Sequence, residues 1–375
     1  MRPRLSLCSS NTLQKKKQER AKVAKLRQAE GQGRGRMGKA AGRFWPDFGV
    51  APFPCLLSPS RVTEYPIHDI SPWLLQISGN FGIRWYGVSY VAGIVAAFYL
   101  LKWMARKRYG QMKEDEVSDF LIYAAVFGVF LGGRMGFVLF YAVPNEGIGI
   151  LFRDPLMIIR VWDGGMAAHG AILGLTLYTL YYARQKGYNW PGVGDNLCTV
   201  APLGIAFGRI ANFINGELYG KPATVPWAMK FPGEMERHEI WFRVSQRLPQ
   251  FAHPDQVKAA LDQPEVRQVL QEVLTPRHPS QFYQAGLEGL TLFGILMFLR
   301  TRFPKLGYGM LTGAFFMGYA TFRIIAEIYR DADYGSANIL GLQKGQFYSL
   351  FMYAAGAAFL YYGWTRGRRA VANKR

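Results

Sequence analysis

Tyr319, Arg323, Glu327 and Arg330 follow one another at intervals of four, four and three residues. That spacing sets four polar side chains on one face of a helix. The stretch around them, GYATFRIIAEIYR (318–330), is otherwise largely apolar. Another arginine, Arg209, closes a second apolar run in Gly208-Arg209-Ile210-Ala211-Asn212-Phe213-Ile214-Asn215-Gly216-Glu217. Arg209 and Asn212 are three apart, again on one face. His169 lies in WDGGMAAHG (162–170) and Arg134 in GGRMGFVLFY (132–141). Two arginines with few acids near them make a site for an anion, because a planar guanidinium matches phosphate oxygens in pairs. His169 is the natural proton acceptor of the set, imidazole having an ordinary pKa near 6.5. A structural reading stands beside this one. Arg323 and Glu327 make a buried ion pair, His169 packs between helices, and Arg134 goes either way. Glu288 reads as structural rather than catalytic.

The elements that carry these residues are apolar runs about 20 residues long, the length needed to cross a bilayer. Seven such runs are legible, at 83–105, 117–143, 165–185, 195–215, 280–300, 308–330 and 345–364. A charged side chain inside such a helix costs about 2.5–3.5 kcal/mol on insertion scales, and it persists where it faces the bundle interior or a wet cavity. The fold expected is an all-α membrane protein, a seven-transmembrane-helix bundle with an extracytoplasmic head between helices 4 and 5. The chain divides into a basic tail at 1–65 that reads as disordered, four spans at 66–215, a head at 216–279, three spans at 280–365, and a basic cytoplasmic tail at 366–375. Within the head, Ile240, Phe242, Val244 and Leu248, then Val257, Leu261, Val266, Val269 and Leu270, recur near helical spacing. Nothing in this linker looks catalytic.

Charge sets the orientation. The linker 102–113 carries Lys102, Arg106, Lys107, Arg108 and Lys113; Arg184 and Lys186 follow the third span; Arg300, Arg302 and Lys305 follow the fifth. Alternate linkers are basic, which places them in the cytoplasm, with the N-terminus outside and the C-terminus inside. The polar faces of spans three, four and six then converge in the outer half of the membrane, at the depth of a lipid phosphate. Residues 1–65 hold 14 Lys/Arg against 4 Asp/Glu, and such a segment resists translocation. One reading is that translation starts at Met37.

The net charge of +20 sits mainly in the tail and beside apolar segments, so nucleic acid is not the expected partner. The three cysteines Cys8, Cys55 and Cys198 form no pair or metal-like cluster. No metal or nucleotide motif occurs, and no cofactor is expected. A lipid or small-molecule transporter or scramblase would also carry intramembrane charge, but the two halves of the chain show no internal repeat.

In these same residues the sequence resembles the bacterial prolipoprotein diacylglyceryl transferase family. The resemblance covers about residues 70–365. It is densest in GRIANFINGELYGKP (208–222) and VPWAMKFP (225–232), with GGRMGFVLFY, WDGGMAAHG, RHPSQFYQAGLEG (277–289) and GYATFRIIAEIYR in the expected order. Departures are Ala223-Thr224 in place of a polar pair, Lys344 at an apolar position, and a longer 233–276 region. The resemblance implies a bacterial inner-membrane enzyme. Phosphatidylglycerol would donate its diacylglyceryl group to the lipobox cysteine thiol of a prolipoprotein signal peptide, releasing glycerol 1-phosphate. It implies His169, Arg209, Arg323 and Glu327 as catalytic, the arginines clamping phosphate and Glu327 orienting Arg323 or serving as base. Tyr86, Asn212 and Glu217 would position the glycerol head. Arg134, Asn215, Gly220, Tyr319 and Arg330 complete the substrate-binding set.

Overall fold

The computed structural model describes residues 64–78, 81–160, 165–331 and 343–367. Nearly all of the basic tail with Met37, the pair Asp163-Gly164, the side chain of Lys344 and the residues after 367 lie outside the described part.

A long helix stands at each of the seven expected places. They are α1 (Trp85–Arg106), α2 (Val117–Glu146), α3 (Ala168–Lys186) and α4 (Trp190–Ile214). The head contributes α5 (His238–Arg247), α6 (Pro254–Ala259) and α7 (Pro264–Val273). Then come α8 (Ser280–Arg302), α9 (Met310–Tyr329) and α10 (Lys344–Tyr362). Four of these, α1, α2, α4 and α8, are long and apolar enough to cross a membrane. The chain is a multi-pass membrane protein. The helices α3, α9 and α10 have comparable lengths, 19, 20 and 19 residues.

Two differences from the sequence expectation have plain causes. A short antiparallel hairpin, β1 (Trp73–Ser78) and β2 (Phe81–Arg84), precedes α1, so the described fold is not purely helical. Its strands are too short for the two-residue period to stand out against a neighbouring apolar run. Arg84 lies over the ring of Trp73, 4.3 Å from its centre. Helix α4 begins at Trp190 rather than 195. Asp195 and Asn196, at the start of the expected run, are both buried. Asp195 accepts from the backbone N–H of Gly309 at 2.8 Å and of Thr312 at 2.7 Å. A carboxylate of one helix thus caps the first turn of α9, where orphan N–H groups and the helix dipole favour negative charge. This contact fixes α9 against α4.

Helix α2 contains two wider π-type stretches, Ala124–Leu131 and Val138–Ala142, around Gly132–Phe137. Its glycines meet those of α3 at backbone distance. A Cβ on Gly132 would stand 2.7 Å from the carbonyl of Gly170, and one on Gly136 would stand 2.4 Å from the Gly170 Cα. Small residues at such a crossing let two helices touch where lipid gives no hydrophobic drive. The contact anchors the start of α3, next to His169.

The 233–276 region is folded. Val244, Leu248, Val257, Val266 and Leu270 form its core, joined by Met235 and, from the segment before the hairpin, Ile67. The helical spacing of these positions was legible, except that Phe242 is exposed. A partly buried network ties the head to the bundle. Arg277 donates to Glu234 at 2.6 Å and to Asp331 at 2.7 Å, and Arg237 also reaches Asp331 at 2.7 Å.

Candidate functional site

Helix α8 turns π-type over Ala285–Thr291, and this segment carries Glu288. Wider turns of this kind inside helices often mark sites. The next residue, Gly289, brings α8 onto α4, since a Cβ there would stand 2.6 Å from the Cβ of Ala206. Glu288 is completely buried. One of its oxygens lies 3.4 Å from Arg209 of α4, and the other lies 3.4 Å from Arg323 of α9. Arg323 also pairs with Glu327 at 3.1 Å, and Arg330 approaches Glu327 at 3.8 Å. Tyr319, Arg323 and Glu327 share the expected face of α9, Arg330 follows the helix end in extended backbone, and all four line one cavity.

The arginines do not stand apart from acids as the sequence suggested. Two carboxylates lie among three guanidinium groups. The cause is desolvation: a charge taken out of water is retained only when it is paired.

The cavity has a volume of about 890 Å³. It is walled by single faces of α3, α4, α9 and α10. On α4 the lining positions include Gly194, Leu197, Cys198, Ala201, Ile205 and Arg209. The charged cluster sits at one end, and Trp190 and Phe359 stand at the other, their rings 5.9 Å apart. His169, in the first turn of α3, lines the charged end, and its ring meets that of Tyr348 at 5.7 Å. Gly345 of α10 lies directly on the ion pair. A Cβ there would approach the Glu327 carboxylate at 2.9 Å and the Arg323 Nε at 3.0 Å. The space is a polar end on an apolar trough, suited to an amphiphile with an anionic head.

The remaining candidates fall elsewhere. Asn212 is not among the residues lining the cavity. Its amide donates to the hydroxyl of Tyr86 at 2.8 Å and to Glu217 at 2.7 Å. Three residues advance a helix by 300°, so neighbours on one broad face still point 60° apart. Arg209 meets α8, and Asn212 meets α1. Beyond Asn212 the chain turns through two left-handed residues, Gly216 and Leu218. A bulky side chain in that region carries strain of about 1–3 kcal/mol. It is held by Ser280, which donates to the Leu218 carbonyl at 3.1 Å, and by Gln281, which donates to the Glu217 carbonyl at 2.6 Å. Asn215 caps the C-terminal end of α4, with its Oδ1 buried and unpartnered. Gly220 is pressed between two backbone segments: a Cβ would meet the carbonyls of Tyr329 at 2.5 Å and His278 at 2.7 Å. Arg134 is buried and donates to the carbonyls of Met157 at 2.7 Å and Gly165 at 3.0 Å, which holds the linker between α2 and α3.

His68 is a residue the sequence reading missed. It stacks on Phe231 at 5.6 Å and meets Phe213 edge-on at 5.2 Å, directly behind Gly216. Burial holds its pKa below the ordinary 6.5. Burial likewise lowers the pKa of His278, whose ring contacts the Tyr283 hydroxyl at 3.1 Å. Among the described residues no group of histidine, cysteine and acid side chains is arranged to hold a metal.

A family model for prolipoprotein diacylglyceryl transferase matches residues 72–362. Three relatives carry the name phosphatidylglycerol–prolipoprotein diacylglyceryl transferase. The one from Bdellovibrio bacteriovorus is 34% identical over 356 residues, covering 82% of this chain and 100% of its own. That from Erwinia tasmaniensis is 36% identical, covering 77% and 90%. That from Burkholderia orbicola is 38% identical, covering 79% and 94%.

Proposed function

The chain belongs to the prolipoprotein diacylglyceryl transferase family, and on that premise we propose that Arg209 and Arg323 together hold the phosphate of the donor lipid. The activity is transfer of the diacylglyceryl group of phosphatidylglycerol to prolipoproteins, a step of lipoprotein biosynthesis. The observation that carries the site assignment is the meeting of the two arginines on Glu288, at the charged end of an apolar cavity.

The chemistry follows from that placement. The acceptor is the lipobox cysteine, whose thiol becomes the nucleophile only as thiolate. The sulfur attacks the glyceryl carbon bonded to the phosphate ester oxygen. The C–S bond forms, the C–O bond breaks, and glycerol 1-phosphate leaves with the electron pair. Charge builds on the phosphate oxygens, and Arg209 and Arg323 stabilise it in a site poor in water. Glu288 and Glu327 fix the two guanidinium groups before the lipid arrives. His169, at the same end of the cavity, takes the thiol proton. Tyr86, Asn212 and Glu217 position the glycerol head. Tyr319 and Arg330 line its path, and Asn215 offers a free acceptor oxygen to it. Gly220 and Arg134 keep the surrounding turns in place.

All seven long helices span the bacterial inner membrane in this reading. The head lies outside, and the basic ends of α1, α3 and α8 lie in the cytoplasm. The relatives named above are transferases, which gives a transporter reading no support. Purified protein incubated with phosphatidylglycerol and a lipobox peptide tests the proposal. Glycerol phosphate release must require the peptide thiol, and equal release with a serine peptide would overturn it. Replacing His169 by Gln tests its role, because undiminished turnover would remove it.

A further inference from the structure

The basic residues after α8 do not share one fate. Arg300 turns inward, is buried, and donates to the Tyr109 carbonyl and to Asn196 at 3.2 Å. Arg302 and Lys305 remain exposed, and neither pairs with an acid among the described residues. Both lie on the rim of a second groove of 830 Å³, between the turn joining α8 to α9 and the end of α10. Its walls are apolar and aromatic, formed by Leu306, Met310, Leu360 and Trp364. Tyr361, also in the lining, is 71% exposed, and Trp364 is 68% exposed.

Uncompensated cations above an apolar trough, flanked by exposed tyrosine and tryptophan, describe a membrane interface. Basic pockets between spanning helices bind anionic lipid headgroups. The trough is separate from the site already described. Arg302 follows Glu288 by 14 positions (302 − 288) on α8, or about 21 Å along the axis. It therefore faces the opposite leaflet from Arg209 and Arg323.

We propose that this groove is a binding site for an anionic phospholipid of that opposite leaflet, with Arg302 and Lys305 on the phosphate and the acyl chains against Leu306, Met310, Leu360 and Trp364. The lipid is held intact and is not a substrate there. Each basic residue near an anionic headgroup gives roughly a fivefold preference, and two give about twenty-fivefold.

Fluorescence quenching of Trp364 tests this. The full-length protein is placed in phosphatidylcholine nanodiscs containing a small fraction of brominated lipid, either phosphatidylserine or phosphatidylcholine. The Trp364 component is taken as the difference from a Trp364→Phe variant. Brominated phosphatidylserine should quench that component several-fold more than brominated phosphatidylcholine at equal content. The Arg302→Gln/Lys305→Gln double variant should lose the difference, and the Lys305→Gln single variant should lose part of it. Equal quenching by the two lipids in the wild-type protein would overturn the proposal, as would an undiminished difference in the double variant. The wild-type comparison stands even if the double variant fails to fold.

Discussion

Arg209 and Arg323, carried by different helices, each lie 3.4 Å from a separate oxygen of Glu288. The carboxylate has no exposure to solvent, so it acts on chemistry only through the two arginines. Breaking such a buried arrangement by removing one partner costs about 3–5 kcal/mol. Glu288→Ala should therefore lower the melting temperature and abolish transfer. Glu288→Gln keeps the shape and removes the charge, so it should fold better than Glu288→Ala and still turn over poorly. Wild-type rates in a well-folded Glu288→Gln protein would show that the arginines need no fixing.

Arg323→Lys tests whether the planar guanidinium matters beyond its charge. Arg323 serves Glu288 and Glu327 at once, and an ammonium cannot present that fork to a third, phosphate partner. Loss of one oriented donor to a developing anion typically slows turnover by about 100-fold to 1,000-fold. The fall should appear in kcat measured with saturating phosphatidylglycerol. A change confined to KM would assign Arg323 to ground-state binding alone.

Gly220→Ala should destabilise the protein, because the added methyl would meet two backbone carbonyls that have no rotamer to yield. Overpacking of this sort costs about 1–3 kcal/mol. Gly286 is the internal control, since a Cβ there meets nothing within 4 Å. Thermal unfolding in detergent should separate the two variants by several degrees, and similar melting temperatures would contradict the assignment.

The pH dependence of stability should carry the mark of His68. Its pKa is lowered by burial from 6.5. The unfolded chain therefore binds more protons below about pH 6.5, and stability rises with pH across that window. Stability is complete above the unfolded pKa and declines as pH falls toward the depressed folded one. His68→Phe keeps the ring against Phe231 and removes the titration. Melting curves between about pH 5 and 8 should show a shallower slope for this variant, and an unchanged slope would exclude His68 as a source.

Much of this arrangement was legible in sequence. The intervals within Tyr319, Arg323, Glu327 and Arg330 announce one face, and the head core announces itself through the four-residue spacing of Val244 with Leu248 and of Val266 with Leu270. Glu288 and Asp195 were not legible as partners. Each is a single acid in an apolar run, and each finds its partners on other helices, which no local spacing encodes. Asn212 shows the limit of face arguments. It lies three residues from Arg209, yet it turns to Tyr86 while Arg209 turns to Glu288. The packing role of Gly220 needed the third dimension as well, since its neighbours His278 and Tyr329 come from other segments.

In the proposed mechanism two guanidinium groups, set by one buried carboxylate, hold the lipid phosphate during transfer. Glycerol phosphate release by purified wild-type, Arg209→Ala and Arg323→Ala proteins tests it most directly, with phosphatidylglycerol and a lipobox peptide as substrates and unfolding measured alongside. Thiol-dependent release by the wild type, and its loss by at least about 100-fold in either folded variant, is the predicted result. Release at the wild-type rate from either variant would contradict it.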